Sequence, residues 1–238
     1  MKLFWWSAPH PEGKNNFGDM ISPLIFDGFG IKYKYTYTDY NTISVGSIAT
    51  FAKKDTIVLG SGTLDDQVDL EPQANWKFVR GPYTRVNVIR SGGKCPEIYG
   101  DPAMLLPLFI KPEEKQYDVG ILPHYMDKYY VEDSLKQHKL NWNYIDPLSN
   151  NAIKTLKEIT KCRAIFSSSL HGIICAHAYG IPAAWVKFSD HVPGDNIKFK
   201  DHYASVGLKA QTSTIYKPVF TVGKLDINPI VKIFESLK

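Results

Sequence analysis

The residue types best suited to chemistry gather in one stretch, Phe166-Ser167-Ser168-Ser169-Leu170-His171-Gly172. An apolar run enters three serines and then a helical pattern, which reads as strand, turn and helix. Serine is a good N-cap because its hydroxyl accepts a bond from an early helix N–H. The first N–H groups of any helix lack intrahelical partners, and together with the helix dipole they favour a phosphate or a carboxylate. Ser168, Ser169 and Leu170 are therefore candidates for holding an anion. His171 falls in the first turn, as a proton donor, an anion anchor or a satisfied structural histidine. His171 and Cys175 share one helix face, but two ligands without a carboxylate or second histidine nearby make a poor metal site, and no metal is expected.

Further candidates sit where apolar runs end. Arg80 closes one such run and Arg85 follows in a predicted helix. Arginine offers bidentate, charge-assisted bonds to carboxylate and phosphate, although either side chain could instead pair with a surface acid. Arg80, at a strand end, is expected to point near a cleft. Asn16 and Asp19 occupy the turn Asn15-Asn16-Phe17-Gly18-Asp19, where Asp19 is either a helix N-cap or a base for a hydroxyl. His124 follows Pro123 and either faces the cleft or is a loop histidine without a role. Gly60-Ser61-Gly62 permits close backbone approach and is read as architecture.

These residues need a scaffold. Short apolar runs predict strands at 3–6, 56–59, 77–80, 98–99, 118–122, 142–145, 164–166 and 183–186. Helical patterns are predicted at 20–26, from 84, at 131–138, 153–159, 170–179 and 229–237. The alternation implies parallel α/β structure. The polar stretch 111–116 with Pro112 is a linker candidate, after which the pattern restarts. The expected organisation is an N-terminal α/β lobe over 1–112 and a C-terminal lobe over 113–238. The last helix has the option of packing back on the first lobe. Ligands of open α/β sheets bind outside the carboxyl ends of strands, here in a cleft between lobes.

Composition narrows the function classes. A formal charge of +4 suits an anionic ligand and, with no dense basic run, gives no support to nucleic-acid binding. Three dispersed cysteines argue against a disulfide framework and for a reducing compartment. The apolar run at 3–6 is too short for a signal peptide core, and no run is long enough for a membrane span. A cytoplasmic protein is expected, with peripheral contact at the inner face of a membrane left open.

Ser168–His171 with the following Gly-Ile-Ile-x-Ala-x-Ala-Tyr-Gly-Ile-Pro resembles the signature helix of the polysaccharide pyruvyl transferase family. Residues 15–19 are similar to that family's N-x-G-D loop, and residues 79–85 (VRGPYTR) to its R-G-P-x-[ST]-R turn. Gly100-Asp101-Pro102-Ala103 resembles its G-D-P-A element, 119–125 its I-x-P-H-Y strand, and 199–207 (FKDHYASVG) a C-terminal pattern. The matches keep family order. The resemblance implies two Rossmann-like lobes like those of GT-B glycosyltransferases, with 1–112 on the acceptor side and 113–238 on the donor side. It implies phosphoenolpyruvate as donor, no cofactor, and a sugar or lipid-linked glycan as acceptor, giving a pyruvate ketal.

On that reading His171 is the catalytic acid, with Asp19 and His124 as further catalytic candidates. Arg80, Arg85, Ser168, Ser169, Leu170, His171 and Lys198 bind the donor, and Asn16, Asp19 and His124 the acceptor. Many family members carry arginine immediately before the Leu-His pair, where this chain has Ser169. Lys198 or Lys200 would then supply the missing charge. The chain is also short for the family, which implies reduced acceptor loops. A nucleotide-sugar glycosyltransferase and a non-catalytic anion- or sugar-binding relative are the competing readings.

Overall fold

The structure, a computed structural model, describes residues 1–7, 9–10, 12–135 and 142–238. Its strands, in chain order, are β1 (Lys2–Phe4), β2 (Asn15–Asn16), β3 (Lys34–Tyr35), β4 (Thr42–Ile43), β5 (Ile57–Leu59), β6 (Asn75–Phe78), β7 (Tyr117–Leu122), β8 (Trp142–Tyr144), β9 (Leu148–Ser149), β10 (Cys162–Ser167), β11 (Ala183–Val186) and β12 (Thr212–Ser213). The α-helices are α1 (Ile21–Phe29), α2 (Pro82–Arg90), α3 (Lys128–Leu135), α4 (Ala152–Thr160), α5 (Leu170–Ala178), α6 (Ile197–Ser205) and α7 (Asn228–Glu235).

Two five-stranded sheets result, in the orders β3-β1-β4-β5-β6 and β12-β11-β10-β7-β8. Every pairing in both is parallel. Parallel sheets are covered on both faces, so their central strands read as continuous apolar runs. β11 (AAWV) is buried at every position and β10 (CRAIFS) over its last three. Local signals set the helix ends. Pro82 opens α2, where a missing N–H costs nothing. Asn151 caps α4 by accepting a bond from the Lys154 amide at 3.0 Å. Gly180 takes φ +65° just beyond α5.

The two sheets share one apolar core. Leu3, Phe26 and Phe78 from the first half join Leu122, Ile165 and Trp185 from the second in a single cluster, with Ala103–Leu106 between them. α7 lies on the first half: Phe234 stacks on Phe29 at 5.0 Å and meets Phe26 and Phe78 edge-on at 5.8 and 6.2 Å. A small antiparallel pair, β2 with β9, ties the two halves together.

Several elements differ from expectation. The predicted strand at 98–99 is a single parallel bridge from Tyr99 to Val79, because a 3-10 helix at Pro102–Leu108 follows at once. α3 starts three residues earlier than expected, and the predicted helical residues 136–138 lie outside the described residues. α6 was not foreseen, since its sequence IKFKDHYAS buries Lys198, Asp201 and His202 and so lacks an apolar stripe. β3 and β4 are two residues each, too short for a periodic signal. Among the described residues no helix is long and apolar enough to cross a membrane.

Candidate active site

A cavity of about 260 Å³ opens where the carboxyl ends of the two sheets meet. Trp6 follows β1, Ser47, Ile48 and Phe51 follow β4, and Leu64 follows β5. From the second sheet, His124 and Tyr125 follow β7, Ser169, Leu170 and His171 follow β10, and Pro193 and Lys198 follow β11. Asn16, at the end of β2, and Asp19, in the 3-10 turn between β2 and α1, complete the lining. This is the position at which open parallel sheets bind ligands.

The N-terminus of α5 opens on this cavity. The Ser167 hydroxyl donates to Leu122 O at 2.6 Å and accepts from the Ser169 amide at 3.0 Å, which fixes the turn. Gly172 lets the helix approach that hydroxyl, because a β-carbon there would collide with Ser167 Oγ. The Ser169 side chain makes no capping bond, so it does not satisfy the first N–H groups of α5. Ser169, Leu170 and His171 therefore present that terminus to the cavity.

His171 is buried, with Nε2 3.5 Å from Asp101 Oδ2. Gly18 packs against the ring, and a β-carbon at that position would overlap Nδ1 and Cγ. Asp19 is half-buried and accepts a bond from Asn16 Nδ2 at 3.0 Å. Burial raises the Asp19 carboxyl above the usual range, while Asn16 and the neighbouring His171 oppose that shift. His124 Nδ1 accepts from the Met126 amide at 3.3 Å, so the neutral ring carries its proton on Nε2. Burial, with Lys198 and His10 nearby, depresses His124 to about 3. The ring thus stays neutral and offers a donor. Lys198 is buried, donates to Pro193 O at 3.0 Å, and is lowered to about 8 chiefly by burial, with Arg80 adding to the effect.

The cavity thus gathers Asn16, Asp19, His124, Ser169, Leu170, His171 and Lys198 from the sequence-predicted residues. It does not gather Arg80, Arg85 or Ser168. Arg80 is fully buried and does not point into the cleft: its Nε meets Asp201 Oδ2 at 3.3 Å, and two further bonds reach Ser47 Oγ at 2.8 Å and Thr63 O at 2.7 Å. A cation placed at a strand end was turned inward because Asp201, on α6, supplies a buried counter-charge. Arg85 pairs with Glu97 at 3.3 Å and with Cys95 O at 3.0 Å, away from the cavity. Ser168 is structural in geometry: its hydroxyl accepts from the His124 amide at 2.8 Å and donates to buried Asp127 at 2.6 Å. Lys200 is exposed on α6 and takes no part in the lining.

Sequence reasoning assigned no role to Trp6, Ser47, Phe51, Tyr125 or Asp101. For Asp101 a signal existed, its place in Gly-Asp-Pro-Ala, but the contact to His171 spans 70 positions. Trp6 and Phe51 carried none, since aromatic residues are core formers first. Among the described residues no group of three or more histidine, cysteine or carboxylate side chains could hold a metal ion.

Comparison with known proteins gives two relatives of note. The chain is 35% identical over 174 residues to an uncharacterized protein of Acanthamoeba polyphaga mimivirus, covering 69% of this chain and 60% of that protein. It is 28% identical over 220 residues to the succinoglycan biosynthesis protein ExoV of Rhizobium meliloti, covering 87% of this chain and 66% of ExoV. The chain therefore spans about 60–66% of the length of these relatives. No solved structure matches. The family profile described as polysaccharide pyruvyl transferase matches residues 2–190, and the chain belongs to that family.

Proposed function

We propose that the chain transfers the pyruvyl group of phosphoenolpyruvate to two hydroxyls of a glycan, forming a cyclic ketal and releasing phosphate. Balance requires that the donor's methylene carbon gain a proton and become a methyl group. The two hydroxyl oxygens bond to the adjacent carbon, whose bond to the phosphate oxygen breaks. One hydroxyl proton replaces the one given to carbon, and the other leaves with phosphate or solvent. The observation that carries this reading is the convergence, in one cavity, of an open helix N-terminus, a buried lysine, two histidines and a carboxylate.

The roles follow from placement. The α5 terminus and Lys198 hold the phosphate and carboxylate of the donor. Lys198 supplies the positive charge that Ser169 lacks. His171 delivers the proton to carbon, Asp19 draws one from a sugar hydroxyl, and the His124 Nε2–H binds an acceptor oxygen. Burial raises the Asp19 carboxyl and so makes it a stronger base than an exposed carboxylate. Trp6 and Phe51, both over a third exposed on the opposite wall, give the sugar ring an apolar face. Arg80 acts one layer back, through Ser47. The likeness to the two-lobed glycosyltransferase architecture rests on two parallel sheets whose carboxyl ends face one cavity.

Mass spectrometry of candidate glycans incubated with phosphoenolpyruvate tests the reading. A pyruvyl adduct with equimolar phosphate release is expected. In His171→Ala turnover should fall by about a hundredfold or more, while donor affinity falls less and the melting temperature holds. Full turnover in a stable His171→Ala protein would move the proton-donor role to Asp19 or His124. Binding of the donor without any adduct across a broad glycan panel would favour a non-catalytic relative.

A further inference from the structure

Asp101 is fully buried, and one of its carboxylate oxygens, Oδ1, caps the 3-10 helix by accepting from the Ala103 amide at 2.9 Å. The other, Oδ2, is buried without a hydrogen bond, and so is His171 Nε2, which lies 3.5 Å away. Each is a polar atom that burial makes costly to leave unpaired. A carboxylate oxygen only accepts, so both are satisfied together when Nε2 carries the proton. The contact is long for a hydrogen bond, as such contacts often are before substrate tightens a site. The other ring nitrogen, Nδ1, faces Gly18 and is not among the buried unpaired atoms. The geometry has the form of a working imidazole oriented from behind by a carboxylate.

We propose that Asp101 is a positioning residue that holds the His171 proton on Nε2 and leaves Nδ1 as the nitrogen that works in the cavity. The inference rests on the reading of His171 as the histidine that moves the proton. Two of the sequence elements singled out above then meet at one ring: Gly18 makes room for it and Asp101 sets its tautomer. Nδ1 receives a proton from solvent or substrate and passes it on, while Asp101 steadies the cation that forms.

The test uses the intact chain with 15N-labelled histidine, the His171 ring signals being assigned by their loss in His171→Gln. At a pH where the ring is neutral, the wild-type spectrum should show the Nε2–H tautomer. In Asp101→Asn the side-chain oxygen still accepts from Ala103, so the amide NH2 faces Nε2 and donates to it. The ring should switch to Nδ1–H, and turnover of phosphoenolpyruvate should fall about a hundredfold or more. Phosphoenolpyruvate affinity should change far less than turnover. A wild-type Nδ1–H ring overturns the proposal without any variant. Unchanged turnover in an Asp101→Asn protein with switched tautomer overturns it as well. The tautomer is read without acceptor or catalysis, so its failure is distinct from failure of the pyruvyl transfer reading.

Discussion

On the proposed reading, Lys198 is the residue on which donor binding turns. Burial lowers it to about 8, so its ammonium predominates at neutral pH and is lost as pH rises through that value. Phosphoenolpyruvate affinity should therefore fall at least about tenfold between pH 7 and 9.5, as roughly one charge-assisted contact disappears. A bound anion favours the ammonium, so affinity falls between the pKa of the free protein and the higher one of the complex. Lys198→Arg keeps its charge over this range and should flatten the profile. Calorimetric titration at a series of pH values measures this. The same decline in wild type and Lys198→Arg would assign it to another group. The sequence offered both Lys198 and Lys200 as sources of the charge, with Lys198 as the donor-binding choice. They differ because 198 faces inward and 200 outward on the same helix.

α6 is the element that delivers this lysine, and its anchor is Asp201. That carboxylate accepts from Arg80 Nε at 3.3 Å, Thr84 N at 3.0 Å and Thr84 Oγ1 at 2.7 Å, all buried. The arginine–glycine–proline turn and the C-terminal FKDH pattern, distant in sequence, thus form one fastening. Removing one partner of a buried pair leaves the other charge uncompensated, at a cost of about 3–5 kcal/mol. Asp201→Ala should lose about that much stability in urea titration, and Thr84→Val clearly less. A near-neutral Asp201→Ala would mean that Arg80 finds other acceptors. The arginine was legible as important from its motif. Its role was not, because a strand end gives direction only when the opposing surface is known.

Across the whole molecule, buried histidines couple stability to acid. His177 Nδ1 and His202 Nε2 lie 3.0 Å apart, and His177 Nε2 is 3.1 Å from Thr221 O. Burial depresses His177 to about 4 and His202 well below its usual value, with His124 at about 3. A free histidine titrates near 6.5, so the unfolded chain takes up protons that the folded one refuses. The stabilisation is complete above about pH 6.5 and is lost as pH falls toward the folded values. The melting temperature should drop steeply between pH 6.5 and 4. His177→Gln should reduce the proton uptake on unfolding in that window by about one. An unchanged slope would show that the pair is reached by solvent in the folded state.

The sequence by itself determined the parallel α/β class, the strand–serine–helix unit at 167–171 and the family, because these are written in local periodicity, capping chemistry and short motifs. Most central strands and α1, α2, α4, α5 and α7 were foreseen within a few residues for the same reason. Only the tertiary structure decided which charges face the cavity. Arg80 and Lys198 are both buried cations in the same region, yet Asp201 draws one inward and leaves the other at the wall. It also decided that Asp101 stands behind His171 and that Gly18 lies against its ring. Those contacts join segments far apart in the chain, and their geometry is set by how two sheets pack on one core, which no local pattern encodes.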